Sequence, residues 1–333
     1  MFHVAMIGSG FIAKQHALAY QALPETRLAA IINPNPETAK KVAKEFSCKY
    51  YATLDEAFKD QKFDIVDVCV PTYLHEQYVL QAAKAGCHVL CEKPVTFTLE
   101  SFDRMTAACR EAGVRFMVAQ VARWWPEFVS IKNQLQNGKL GKVQMIYEKR
   151  LCQLPVWTVW HRDPQKSGGG LYDMNIHDID FLVSIYGKPR SVYAIGWKTE
   201  LGCWMHVVSS LVWPDGVKAV VETCLEMPGP WPFSIEFRGS GEKGTLHYAL
   251  QAGVNITDGE QGSNFVWYPA GEDQPQPLHA EKRDMFKDEI EEFINAIREN
   301  SQTAVTQAQS REVLEVILAT RRSLEEGIAV DIP

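Results

Sequence analysis

The sequence predicts an α/β chain: a doubly wound parallel sheet in the first third, followed by an α/β domain built on a mostly antiparallel sheet. Three observations carry this. A short apolar strand, His3-Val4-Ala5-Met6-Ile7, runs into Gly8-Ser9-Gly10-Phe11-Ile12-Ala13 and then a helix-like stretch. Apolar strand-like runs alternate with helical ones as far as Ala119. From Ser191 to about Trp267, consecutive strands follow one another with only short turns between them, which pairs neighbours antiparallel. At 333 residues the chain exceeds one ordinary core. The pattern changes after Gln120, so two domains are expected, 1–121 and 122–333.

Gly8 to Ala13 has the form G-x-G-x-x-A between strand and helix. Gly8 permits the tight turn, and Gly10 lets the backbone approach a pyrophosphate. The helix that opens at Phe11 and Ile12 turns free N–H groups toward the phosphates. A dinucleotide is therefore the expected cofactor. The second strand, Leu28–Ile32, ends at Asn33. A side-chain amide there can hydrogen-bond a ribose hydroxyl. It is equally plain turn chemistry in Asn33-Pro34-Asn35-Pro36. No Arg follows to bind a 2′-phosphate, which favours NAD, with NADP still open.

Helices are expected over Pro36–Phe46 and Thr53–Asp60, with Thr53 as cap. Ile65–Val70 reads as a buried strand ending in Pro71-Thr72, then a helix from about Leu74 to Ala85. His75 opens that helix, either as a cap or packing residue or as a cofactor contact. Cys87–Cys91 is the next strand, with Glu92-Lys93-Pro94 at its end. A helix over Leu99–Ala112, a strand over Arg115–Ala119 and then Gln120 complete the half. Ligands of such sheets bind beyond the carboxyl ends of strands, so Pro71, Thr72, Glu92, Lys93 and Gln120 are candidate cofactor contacts.

The second half begins with a helix, Pro126–Asn137, and a strand, Val143–Leu151. Gly168-Gly169-Gly170 then leads into an apolar-periodic segment, read as a helix entered through a flexible loop. Asp173 and His177 are four apart, about 40° on one helix face, with Asp180 one turn further on the same side. A carboxylate there can orient the imidazole as a general base, as removal of an alcohol proton requires. Helices over Lys282–Glu299 and Thr306–Gly327 close the chain.

Net charge is −7 with no basic cluster, so nucleic acid is not expected as a partner. No apolar run reaches spanning length, and the N-terminus lacks a basic leader, so neither membrane nor export is expected. The eight cysteines are scattered with no C-x-x-C pair. They read as free thiols of a reducing cytoplasm, with no metal site.

Taken together, Gly8–Ala13, Pro71…His75, Glu92-Lys93-Pro94, Arg123…Pro126 and Gly168-Gly169-Gly170…Asp173…His177…Asp180 resemble the Gfo/Idh/MocA family, and Phe293…Ser323…Gly327 is similar too. The resemblance implies a Rossmann domain plus an α/β domain with an open sheet. It implies a nicotinamide cofactor and a hydroxyl or carbonyl of a sugar, inositol or related polyol as the reacting group. Lys93, Asp173 and His177 match the family's catalytic lysine, substrate-binding aspartate and catalytic histidine. The exposed face of the second sheet would build a homodimer or homotetramer. Whether His177 or Lys93 carries the proton stays open. Arg123, Trp160, Arg162 and Asn175 are further substrate candidates; Asn175 stands where many members have a smaller residue. Trp124, Trp125, Trp157, Trp160 and Trp231 offer aromatic faces for sugar C–H groups or simply pack. Two rival functions are an NAD-dependent glycosidase and a non-catalytic, cofactor-sensing binding protein.

Overall fold

The computed structural model describes residues 1–154, 160–254 and 260–333. They divide into two units, Met1–Trp124 with Asp284–Ser310, and Trp125–Arg283 with Arg311–Pro333.

The first unit holds β1 (Phe2–Ile7), α1 (Phe11–Ala22), β2 (Thr26–Ile32), α2 (Pro36–Glu45), β3 (Lys49–Tyr51), α3 (Leu54–Asp60) and β4 (Ile65–Val68). It continues with α4 (His75–Lys84), β5 (His88–Glu92), α5 (Leu99–Glu111) and β6 (Phe116–Ala119). The six strands are ordered β3-β2-β1-β4-β5-β6, and every pair is parallel. Strand order therefore reverses between β1 and β4, the switch point beyond which such sheets bind ligands. Every residue of β4 and β6 is buried, as expected of strands covered on both faces. Thr53 caps α3 by accepting from the Glu56 N–H at 3.3 Å. Asn35 caps α2 in the same way through the Glu37 N–H at 3.0 Å.

The second unit holds α6 (Pro126–Gln136), β7 (Val143–Leu151), α7 (Gly170–Asp173), α8 (Asn175–Tyr186), β8 (Ser191–Lys198), β9 (Trp204–Val212), β10 (Lys218–Cys224), β11 (Ser234–Gly241), β12 (Gly244–Ala252), β13 (Glu260–Pro269) and β14 (Gln276–Pro277). After these come α9 (Met285–Arg298), α10 (Gln307–Glu326) and β15 (Val330–Asp331). The nine-stranded sheet runs β14-β13-β12-β11-β7-β10-β9-β8-β15. Its pairs are antiparallel except β7 with β10. Along β8, buried Val192 and Ala194 alternate with exposed Tyr193, Ile195 and Trp197, so one face is core and the other is open in this chain.

Segment Asp284–Ser310 falls in the first unit, which a single cut at residue 121 does not provide for. The reason is hydrophobic. Phe286, Ile290, Phe293 and Ile294 of α9, with Val305, share one core with Ala13, Ala17 and Tyr20 of α1. Helical periodicity shows that α9 is amphipathic but not which sheet its apolar face will meet. Among the described residues, no helix is long and apolar enough to cross a membrane.

Candidate functional site

The turn after β1 is shaped for close backbone approach. Gly8 has φ +118°, and a Cβ there would lie 2.1 Å from the carbonyl oxygen of Cys69. Gly10 is the N-cap of α1, no side chain caps the helix, and its first turn carries no acid. A Cβ on Gly10 would meet nothing within 4 Å. The amino end of α1, with Phe11 and Ile12 in its first turn, thus lies at the switch point uncapped by any side chain and open to close backbone approach. That is a fitting cradle for a pyrophosphate. Asn33 donates to Ser9 Oγ at 2.9 Å and accepts from the Asn35 N–H at 2.8 Å. It ties the end of β2 to the glycine turn, so the turn-forming reading of Asn33 describes its contacts here.

A buried histidine lies between the neighbouring strand ends. His75 is fully buried, its Nε2 2.8 Å from the Val70 carbonyl oxygen and its Nδ1 3.2 Å from that of Val95. Burial holds its pKa below the usual value. A neutral ring has a single N–H, and the shorter contact to Val70 takes it. His75 therefore holds the loop after β4, which carries Pro71 and buried Thr72, while its other ring nitrogen lies beside the loop after β5. The Lys93–Pro94 bond is cis. Glu92 is buried and accepts from the Lys93 backbone N–H at 3.0 Å. Lys93 itself is half-buried. Gln120, just beyond β6, is buried, and its Oε1 has no hydrogen-bond partner among the described residues. A buried amide oxygen left over at a strand end suits a ligand donor. Arg123 donates to Gln309 Oε1 at 2.9 Å and to the Ala304 carbonyl at 3.4 Å, both within the first unit.

In the second unit, the glycine run is closely packed, not a flexible entry. A Cβ on Gly169 would lie 2.9 Å from the Trp204 carbonyl oxygen, and one on Gly170 would lie 2.5 Å from that of Met205. Only glycines allow the chain to lie this tightly against β9. The helix that follows is also two pieces, α7 and α8, meeting at Met174 (φ −110°, ψ −47°). Asp173 ends the first piece and His177 sits in the first turn of the second. The even 40° spacing of one helix is thus interrupted between them.

Asp173 faces a residue that sequence reasoning passed over. His161 Nε2 stands 3.9 Å from Asp173 Oδ2, and His161 is mostly buried. Its ring stacks on Trp160 with centroids 4.2 Å apart and planes at 20°. Asn175 is fully buried and donates to Thr223 Oγ1 at 2.9 Å, which fastens the start of α8 to β10. This tether supports His177, two residues on, and leaves Asn175 Oδ1 buried with no hydrogen-bond partner among the described residues, as Gln120 Oε1 is. Asp180 is also fully buried. α8 has a second anchor: Arg150 of β7 donates to Asp178 from Nη2 at 2.6 Å and from Nε at 3.0 Å.

Arg162 is half-exposed and pairs with Glu226. It lines an open cavity of about 590 Å³ with Gln153, Trp197, His206, Cys224 and Glu226. Neither Asp173 nor His177 lines it. His206 is pushed up to about 9 by its bond to Cys224 and then by Glu222, whose Oε1 is 3.0 Å from Nε2. Among the other tryptophans, Trp124 and Trp125 are buried and Trp231 is partly exposed. Trp157 lies outside the described residues.

Known proteins match in the same order as these elements. Residues 2–120 match the family described as "Oxidoreductase family, NAD-binding Rossmann fold", and residues 128–247 match the GFO/IDH/MocA C-terminal domain. Inositol 2-dehydrogenase of Rhizobium meliloti is 26% identical over 98% of this chain and 98% of its own. The 2,7-anhydro-N-acetylneuraminate hydratase of Mediterraneibacter gnavus is 30% identical over 58% of this chain and 51% of its own. The aldose-aldose oxidoreductase of Caulobacter crescentus has the same fold, with a TM-score of 0.86 at 23% identity over 99% of both chains. Both halves thus answer to one family, the first through its cofactor turn and the second through its sheet, and this chain belongs to the Gfo/Idh/MocA oxidoreductases, with an NAD-binding Rossmann domain.

Proposed function

We propose that this protein is a dehydrogenase that uses NAD to oxidise a hydroxyl of a sugar, inositol or related polyol, or to reduce the matching carbonyl. The observation that carries this reading is the full acid–base set, Lys93, Asp173 and His177, in a chain of this family. A protein that merely sensed the cofactor would have no use for it. The inositol 2-dehydrogenase relative, aligned over nearly the whole of both chains, supports the polyol class.

The cofactor supplies the hydride chemistry when bound. The protein supplies the rest. His177 takes the hydroxyl proton in the oxidative direction. Asp173, with His161 behind it, holds substrate and orients the base. Lys93 steadies charge developing on the reacting oxygen. In the alternative split Lys93 carries the proton. Asn33 without a following Arg favours NAD over NADP.

The test is a panel of inositols and sugars with NAD and NADP, followed by absorbance of the reduced cofactor, alongside calorimetric titration of NADH. Turnover of a polyol with net NADH formation is expected. No dinucleotide binding at millimolar concentration would sink the reading. The hydratase relative favours a second reading, in which the same residues serve a redox-neutral conversion, as a glycosidase of this family would also do. Product formation that requires NAD yet accumulates no NADH would establish it.

We further infer that the open face of the second sheet pairs with a second copy of the chain, since Tyr193, Ile195 and Trp197 would otherwise leave an apolar stripe in water. Light scattering should give a multiple of 37.6 kDa. The double substitution Ile195→Glu/Trp197→Glu should reduce it toward the single-chain mass. A wild-type monomer would remove the inference. All eight cysteines are free, and seven are buried. That accords with a reducing, cytoplasmic setting.

A further inference from the structure

His16 lies on α1, three residues past the glycine turn, and is fully buried. Each ring nitrogen meets a carboxylate. Nδ1 is 2.9 Å from Asp67 Oδ2 on β4, and Nε2 is 3.2 Å from Glu92 Oε1 at the end of β5. The second contact is an ion-pair distance without hydrogen-bond alignment. The remaining carboxylate oxygens are also engaged. Asp67 Oδ1 accepts from the Cys69 thiol at 3.2 Å, and Glu92 Oε2 accepts from the Lys93 backbone N–H at 3.0 Å.

Only the imidazolium offers a proton on both sides, and two carboxylates at this depth need a cation beside them. Burial works against that charge, but Asp67, through its charge and its hydrogen bond, outweighs it and holds the His16 pKa well above its usual value. The Phe286 ring of α9 closes the site with its centroid 6.0 Å from that of the imidazole. Tyr20 on α1 faces Asp67 and Glu289, and burial keeps both its phenol and the Cys69 thiol protonated. The donors of His16, Asp67 and Cys69 lie within 4.8 Å of one another. A tetrahedral zinc would hold N and O about 3.3 Å apart, so the 2.9 Å contact is a hydrogen bond.

We propose that His16 is a positioning residue for the Glu92-Lys93-Pro94 turn: a buried cation between Asp67 and Glu92 that sets the Glu92 carboxylate against the Lys93 amide, and so sets where Lys93 stands. The functional part rests on the reading of Lys93 given above; the structural part does not. The arrangement ties α1, whose amino end is the phosphate cradle, to the strand end that bears Lys93.

The test compares three variants of the full chain without cofactor. His16→Gln places its amide where Nε2 was and still reaches Glu92. His16→Asn places its amide where Nδ1 was and reaches only Asp67. His16→Ala reaches neither. Hydrogen exchange of the Lys93 amide, read against Val89 in the middle of β5, should be about tenfold faster in the Asn and Ala variants, the scale of one charge-assisted hydrogen bond. The Gln variant should stay within about threefold of wild type. With myo-inositol and NAD, kcat should fall about tenfold in the Asn variant while KM and the Kd for NADH stay within about threefold. In a Lys93→Ala background the same substitution should add no further loss.

Equal exchange in the Asn and Gln variants, or a rise shared by Val89, overturns the proposal. So does a histidine ring assigned to His16 that ¹⁵N spectra show to be neutral at pH 7. If the His16 variants do not fold, Glu92→Gln tests the same link, and unchanged Lys93 exchange in it also overturns the proposal. If Lys93→Ala alone leaves kcat intact, the role given to Lys93 fails, while the exchange data still decide what His16 does.

Discussion

His177→Ala is expected to lower kcat by about 10²–10⁴, the usual share of general acid–base catalysis, with dinucleotide affinity nearly unchanged. The ring stands in the first turn of α8, a helix held independently by Asn175 on Thr223 and by Asp178 on Arg150. Removing an imidazole from that position leaves those anchors intact, so thermal stability should hardly move and the loss should lie in chemistry. Lys93→Ala should cost a comparable factor. Asp173→Asn keeps the shape and removes the charge, and should chiefly raise KM. Because Asp173 and His177 are proposed to serve one hydroxyl, Asp173→Asn/His177→Ala should cost little more than the worse single substitution. Multiplying losses would show that the two do not share a site. Near-normal turnover of His177→Ala across pH would make Lys93 the proton carrier. Steady-state kinetics with the responsive polyol, paired with NADH titration, reads all of these.

What the sequence revealed in advance follows how local each signal is. The strand, glycine turn and helix at residues 2–22 form one contiguous unit, so the cofactor turn and the parallel half of the fold were legible directly. The succession of strands from Ser191 to about Trp267 was legible for the same reason, since alternation is a property of neighbouring residues. The short strand β3 carries only three residues, too few to show a period. Segment Asp284–Ser310 packs on α1, a pairing that no local pattern specifies. The glycines before α7 looked like flexibility, because a residue without a side chain gives the same signal whether the chain is loose or pressed against β9. His161 was missed because it meets Asp173 across a turn, twelve residues on, at no helical or strand spacing. His16 was passed over because one histidine in an apolar helix carries no sign of the acids that two later strands bring to it.

Asp178→Ala is expected to destabilise the second unit by about 3–5 kcal/mol, because it strands Arg150 in the interior with its charge unanswered. Arg150 and Asp178 are both nearly inaccessible, and the guanidinium also lies 5.7 Å from the centre of the Phe128 ring. Calorimetry should show a transition lowered by roughly 6–20 °C. Replacing both partners with apolar residues, as in Arg150→Met/Asp178→Leu, should recover much of the loss, since no charge is then left behind. Equal destabilisation by the single and double substitutions would show that shape, not charge, is at stake. Glu148 is the third member of this cluster. Burial, and then the charge of Asp178, raise its pKa well above the usual value, and neither carboxyl oxygen has a hydrogen-bond partner among the described residues. Burial raises Asp178 as well, but its contacts to Arg150 make it the group that keeps the charge. Glu148 therefore stays protonated in the folded chain while the unfolded chain ionises it near pH 4.3. Above that pH the folded state holds the extra proton, so this group's contribution to stability is full at low pH and is lost as pH rises toward the folded value. Glu148→Gln cannot ionise. Its melting temperature should fall less between pH 5 and pH 8.5 than that of the wild type, and an identical slope would mean that Glu148 is already ionised in the fold.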